Sequence, residues 1–235
     1  MSNYHRLFPN KALFCVIHTE SVVQTLRNAQ IAFGEGADGA FLIDHTGCLS
    51  LRDVYCAVRA QYQAEWIGLN FLGRHLWSNN LNAGSIEGLS GLWVDNAGYG
   101  TVHGGQYGPS FPAKVAQRLR NLSGFSGIYF GGVAFKYQRV IVDSAEEASE
   151  IVPYVDVVTT SGSATGKPPQ SEKISQIRKA IGDQPLAIAS GMTERNIKSF
   201  LGLVDCFLVA TGISRSQTEL DPSRVRKMAR IIHER

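Results

Sequence analysis

Ala187-Ile188-Ala189-Ser190-Gly191-Met192-Thr193-Glu194 and, further on, Phe207-Leu208-Val209-Ala210-Thr211-Gly212 carry one pattern twice: an apolar run, then a turn of small residues leading into a helix. Backbone N–H groups of a turn without bulky side chains can converge on a phosphate, and a helix N-terminus adds partial positive charge. In a (β/α)8 barrel such a cradle is built by the loops after strands 7 and 8. The pattern therefore decides the fold only if six earlier strand–helix units precede it.

They do. Apolar runs at Ala12 to His18, Gly39 to Asp44, Trp66 to Phe71, Gly91 to Asp95, Gly127 to Val133 and Val155 to Thr160 precede Leu186 to Ser190 and Cys206 to Thr211. Their unbroken apolarity suits parallel strands covered on both faces. Helical stripes lie between them: Val22, Leu26, Ala29 and Phe33; Val115, Leu119 and Leu122; Ile174, Ile177 and Ile181; Val225, Met228, Ala229 and Ile232. Asp143-Ser144 and Asp221-Pro222 are helix starts. A doubly wound open sheet also alternates in this way, but eight units and no G-x-G-x-x-G after the first run favour the closed α/β barrel. The segment Arg74 to Ser90, rich in asparagine, is the weakest stretch for a helix.

The 235 residues, 44% hydrophobic and 18% charged, predict a single TIM-barrel domain over 1–235, with 1–10 as an N-terminal extension. A net charge of +3 and basic residues that cluster only at Arg224, Arg226, Lys227 and Arg230 predict a solvated helix face and no nucleic-acid partner. Cys15, Cys48, Cys56 and Cys206 form no C-x-x-C pair, and Cys15 and Cys206 lie in strand-like runs as small core residues. No leader and no membrane-spanning stretch is read, so a cytoplasmic protein is expected. No metal is expected, because neither H-x-H nor H-E-x-x-H occurs. Trp66, Trp77 and Phe200 are the candidates for a contact between copies in a homo-oligomer.

The strand ends of the barrel reading are His18, Asp44-His45, Asn70, Asp95-Asn96, Lys136, Thr160-Ser161-Gly162, Ser190-Gly191 and Thr211-Gly212. Acid, base and amide groups opposite an anion cradle suit proton transfer on a phosphorylated substrate. Asp95 ranks first as the catalytic carboxylate. Asp44 reads equally as a turn cap, Lys136 as a solvent-facing side chain, and His18 as a hydrogen-bonding group of the barrel mouth. Asn70 orients rather than reacts. The glycine-rich segment 96–109, with Tyr99, His103 and Tyr107, reads as a lid or a subunit contact.

The stretch Val157-Val158-Thr159-Thr160-Ser161-Gly162-Ser163-Ala164-Thr165-Gly166-Lys167-Pro168-Pro169 resembles the BtpA family, barrel proteins that include a photosystem I biogenesis factor and bacterial members described as nucleosidases or sugar-metabolism proteins. Ser190-Gly191-Met192-Thr193-Glu194-Arg195-Asn196 is similar to the family's Gly-Ser-Gly-Val-Thr-x-x-Asn, Asp221-Pro222-Ser223-Arg224-Val225 extends the resemblance, and Gly68-Leu69-Asn70 matches its Gly-Val-Asn. The family's proline-rich segment after strand 1 is missing, and its Lys-His pair after strand 5 stands here as Lys136-Tyr137.

The resemblance implies a ribulose-phosphate-binding type of barrel that binds a small phosphorylated sugar, nucleoside or nucleotide. Ser190, Gly191, Thr211 and Gly212 would hold the phosphate, with Gly162 and Thr165 extending the wall and Asn70 and His18 on the ligand. Asp95, Asp44 and Lys136 would carry acid, base and charge stabilisation for an isomerase, nucleosidase or phosphoribosyl-transfer reaction. No cofactor is expected; flavin mononucleotide is the one that the same cradle could hold. The non-catalytic alternative is an assembly or regulatory factor that retains the phosphate site.

Overall fold

The computed structural model describes residues 2–45, 50–72, 83–98, 113–137 and 143–234. Eight parallel strands close into a barrel in sequence order: β1 (Ala12–His18), β2 (Gly39–Ile43), β3 (Ile67–Asn70), β4 (Gly91–Val94), β5 (Ile128–Gly132), β6 (Val157–Thr160), β7 (Leu186–Ile188) and β8 (Cys206–Val209). Each lies within a run read from the sequence; the runs ending in Asp44, Asp95, Ser190 and Thr211 trim back at those polar ends, which leave the ladder. The helices are α1 (Asn3–Leu7), α2 (Val22–Gly34), α3 (Leu51–Gln61), α4 (Ala113–Ser123), α5 (Ser144–Ile151), α6 (Ser171–Ile181) and α7 (Pro222–His233). Asp143 caps α5 by accepting from Ala145 and Glu146 N–H, and Asp221 caps α7 by accepting from Ser223 and Arg224 N–H. After β7 the chain makes only a 3₁₀ turn, Ile197–Phe200, in place of the expected helix. No described helix is long and apolar enough to cross a membrane.

Inside the barrel, large and small residues compensate. Phe14, Phe41, Trp66 and Phe130 meet with ring centroids 4.8 to 5.8 Å apart. They fit because Gly68 and Gly91 face them: a Cβ at Gly68 would stand 2.4 Å from the Phe41 ring, and one at Gly91 2.3 Å from Trp66. The N-terminal extension is part of this core. Tyr4, fully buried, packs on Phe130, and Phe8 packs on Phe14 and Trp66, so α1 plugs the barrel floor.

The floor is fastened by a repeated device. Asp38, Asp156 and Asp205 each stand one residue before an even strand and accept the N–H of the preceding odd strand: Leu13 at 2.7 Å, Tyr129 at 2.8 Å and Leu186 at 2.8 Å. At the corresponding place before β4 stands Ser90, whose hydroxyl accepts from Arg59 instead.

Several apolar expectations are corrected. Trp66 and Phe200 are core residues, 9% and 4% exposed, and so do not lie on a contact surface; Trp77 lies outside the described residues. Leu122 is 70% exposed and Val22 37%, while the buried face of α2 carries Gln24, Thr25 and Asn28. These amides are buried because they tether the β8–α7 loop: Gln24 and Asn28 both donate to Thr218 O, and Leu220 N–H donates to Asn28 Oδ1. On α4 Arg120 is buried beside Ala113 and Ala116, its guanidinium over the Tyr129 ring and donating to Tyr154 O. Cys15 and Cys206 are buried, as read.

Candidate active site at the C-terminal mouth

Strand alternation and register bring the sequence candidates to one end of the barrel. In a barrel of this kind alternate strands contribute four inward side chains to each layer. The pairing places Phe41, Trp93, Thr159 and Leu208 in one layer, Val16, Asn70, Gly132 and Ala189 above it, and Ile43, Asp95, Ser161 and Ala210 above that. His18 ends β1 above these. The interior thus turns from aromatic at the floor to polar at the mouth.

Asp95 is held from below: Asn70 Nδ2 donates to Asp95 Oδ1 at 3.0 Å, and Asn70 Oδ1 accepts from Leu72 N–H at 2.7 Å. Burial pushes the Asp95 carboxyl up, against the pull of Lys136 and the Asn70 hydrogen bond. Lys136 stands four residues beyond the end of β5, not on the strand. Its backbone N–H donates to Ser161 Oγ at 2.7 Å, and Nζ lies 3.5 Å from Ala189 O and 4.9 Å from the Phe135 ring centroid. The ammonium therefore points inward, and desolvation lowers its pKa while Asp95 opposes the shift. The two charges influence each other without forming an ion pair.

His18 and His45 lie 4.5 Å apart by ring centroid. Burial, then His45 and Lys136, push His18 down to about 4, so its imidazole is neutral at pH 7, and Nδ1 is buried without a partner. Asp44 follows β2 directly and is 7% exposed; the N-cap of the next helix is Ser50 rather than Asp44.

A linkage prediction follows for His18. Its folded pKa lies below the unfolded value, so between about pH 6.5 and 4 the unfolded chain binds a proton that the folded chain refuses. Stability contributed by the neutral ring is complete above pH 6.5 and falls as pH drops to 4, by about 3 kcal/mol at most. Urea unfolding of wild type and His18→Gln across this window is expected to show a steeper loss for wild type; parallel curves would refute the assignment.

The small residues of the β6, β7 and β8 loops pack on one another. Ser190 Oγ accepts from Gly162 N–H at 2.8 Å and donates to Lys167 O at 2.9 Å. A Cβ on Gly162 would meet Lys167 O at 2.1 Å, one on Gly191 Pro168 N at 2.1 Å, and one on Gly212 Met192 O at 1.9 Å. Gly191 also has φ +67°, a conformation that favours glycine. Thr165 is exposed; its N–H donates to the Tyr137 hydroxyl at 3.1 Å, which joins the β5 and β6 loops, and Thr211 opens a 3₁₀ turn, Thr211–Ile213, beside Gly212. Of the segment 96–109, residues 99–109 lie outside the described residues.

Two further residues hold the site from behind. Lys173 Nζ donates to Ala134 O at 2.6 Å and Ser161 O at 2.7 Å, and Glu147 Oε2 accepts from Ala134 N–H at 3.3 Å. Burial pushes Lys173 down to about 8. Leu72, Ala134 and Tyr137 take positive φ of 51°, 48° and 60°, all beside Asn70 or Lys136. Strained non-glycine backbone concentrates where surrounding structure enforces it, often at functional sites. The signal for Lys173 was its spacing of four from Ile177 and eight from Ile181, which places it beside the buried face.

The model of the BtpA family matches residues 131–234, the part of the chain from late β5 to the end of α7. No curated protein matches the sequence. Among solved structures, tryptophan synthase of Mycobacterium tuberculosis aligns with TM-score 0.72 and 13% identity over 98% of both chains. Phosphoribosyl anthranilate isomerase of Thermotoga maritima gives 0.69 and 12%, covering 94% of this chain and 98% of that one. Orotidine 5'-monophosphate decarboxylase of Methanocaldococcus jannaschii, complexed with the inhibitor BMP, gives 0.69 and 11% over 96% and 100%. At these identities the likeness is one of fold.

Proposed function

From the BtpA match and the polar mouth we propose that this protein is an enzyme acting on a small phosphorylated sugar or nucleoside by proton transfer. The observation that carries the reading is the proximity of Asp95, anchored by Asn70, to an inward Lys136 that forms no ion pair with a carboxylate among the described residues. A carboxyl raised by burial sits closer to neutrality and exchanges a proton more readily near pH 7, and a desolvated ammonium stabilises an oxyanion formed opposite it. Asp44 supplies a second carboxylate and His18 a neutral hydrogen-bonding ring.

The phosphate lies on the backbone of Gly191, Thr211 and Gly212, with Gly162 and Thr165 forming the wall. Ser190 shapes this loop through its bonds to Gly162 and Lys167, which occupy its hydroxyl. That occupation is what favours the second reading, a non-catalytic assembly or regulatory factor. Titration with orthophosphate, ribose 5-phosphate, phosphoribosyl pyrophosphate, nucleoside monophosphates and flavin mononucleotide, followed by thermal unfolding, tests the reading. A ligand at about 100 times its Kd stabilises by about 2.7 kcal/mol, a shift of a few degrees. No shift with any phosphate compound would remove the phosphate site.

A further inference from the structure

Among the described residues four buried side-chain polar atoms have no partner: His18 Nδ1, Trp66 Nε1, Trp93 Nε1 and Thr159 Oγ1. Trp66 belongs to the aromatic floor, against Phe8, Phe14 and Phe41. The other three share the upper half of the barrel. Trp93 precedes Asp95 by two residues on β4, and Thr159 precedes Ser161 by two on β6, so both face inward in the layer just below Asn70. They are 4% and 0% exposed.

A buried donor or acceptor left unmade is costly, and an apolar residue of the same shape would avoid the cost. Thr159 follows Val157, the inward residue below it on the same strand, and valine has the shape of threonine without the hydroxyl. Above the layer the inward residues Gly132 and Ala189 are small, and the Asp95 backbone lies close over Gly132, where a Cβ would stand 2.2 Å from Asp95 O.

We propose that Trp93 Nε1 and Thr159 Oγ1 form the inner end of the polar barrel mouth and bind an uncharged oxygen, a hydroxyl or carbonyl, of the substrate. This rests on the reading of the mouth as a phosphorylated-ligand site and narrows its substrate class. The indole N–H only donates, and the threonine hydroxyl both donates and accepts. A hydroxyl accepts from Trp93 and donates to Thr159; a carbonyl accepts from both. The remaining members of the layer, Phe41 and Leu208, carry no charge to balance an anion, and Asp95 above repels one. Phe41, Trp93 and Leu208, all buried, make this layer largely apolar, which suits a small oxygen-bearing group rather than a nucleobase. The substrate is then a phosphorylated sugar whose oxygen-bearing end enters the barrel while its phosphate stays at the rim.

The test measures dissociation constants of orthophosphate, ribose 5-phosphate, ribulose 5-phosphate and fructose 6-phosphate for wild type, Thr159→Val and Trp93→Phe. In wild type at least one sugar phosphate is expected to bind more tightly than orthophosphate. In both variants that advantage is expected to fall about tenfold, the size of one buried hydrogen bond, with orthophosphate affinity unchanged. Unliganded Thr159→Val is expected to melt no lower than wild type, and Thr159→Ser to restore the advantage. An advantage that survives both substitutions, or no advantage in wild type, overturns the proposal. Loss of stability in both variants with the advantage intact assigns the atoms to the fold and also overturns it. Failure of orthophosphate and every sugar phosphate to bind wild type instead defeats the phosphate site itself.

Discussion

Asp95→Asn is expected to lower turnover of the bound sugar phosphate by about 10² to 10⁴-fold, the usual contribution of a positioned acid or base, with its Kd changed little. The substitution keeps shape: the amide oxygen can still accept from Asn70 Nδ2, now 3.0 Å from the carboxylate, so the mouth is not rearranged. What disappears is a group that can take and return a proton. The wild-type rate should also rise and fall with a group titrating above the ordinary carboxylate range, because burial raises Asp95. That limb of the pH profile should be absent from the variant's residual activity. Turnover within about threefold of wild type would remove Asp95 from the chemistry, since general catalysis by one group is worth far more.

The largest expected loss of stability comes from Lys173→Met. The ammonium satisfies two buried carbonyls, Ala134 O and Ser161 O, and faces Glu147, which is 4% exposed. Methionine fills the space but leaves both carbonyls without their donor and removes the positive charge near Glu147. Leaving two buried carbonyls without a donor costs about 2 to 5 kcal/mol, and denaturant unfolding would measure it. Lys173→Met combined with Glu147→Gln should recover part of the loss, because the carboxylate whose charge Lys173 offsets is then neutral. Equal losses in the single and double variants would show that Glu147 is not coupled to Lys173. Turnover should fall with the same substitution, since Ser161 also receives the Lys136 backbone N–H and thereby sets the position of its ammonium.

The barrel was legible because its signal is one-dimensional: apolar runs such as Phe207 to Val209 spaced by helical stripes such as Ile174, Ile177 and Ile181, both set by local period. The mouth residues were legible for the same reason, since strand ends fix the face on which His18, Asn70 and Asp95 emerge. What escaped were groups whose role depends on a distant partner. Gln24 and Asn28 look like surface amides until Thr218 meets them, and Lys173 looks like an ordinary first-turn lysine until Ala134 bends back on a positive φ. The N-terminal extension escaped similarly: nothing local in Tyr4 or Phe8 announces that the barrel floor lacks a plug. The packing of Ser190 and Gly191 on Lys167 and Pro168 escaped as well, because it joins two loops that no local spacing relates.

The aspartates beneath the barrel bear on how the ring can assemble. Asp38 reaches back 25 residues to Leu13, Asp156 27 to Tyr129 and Asp205 19 to Leu186, so each clamp closes within one strand–helix–strand module. Such modules can register while the rest of the chain is still open, since short loops cost the least entropy to close. The seam between β8 and β1 is different in kind. It is fastened by Tyr4 OH and the Ala12 N–H on Asp205 O and by Lys11 Nζ on Val204 O, contacts about the whole length of the chain apart. Circularisation of the ring is therefore the non-local event of folding, and it depends on the first dozen residues arriving at a β7–β8 module that Asp205 has already set.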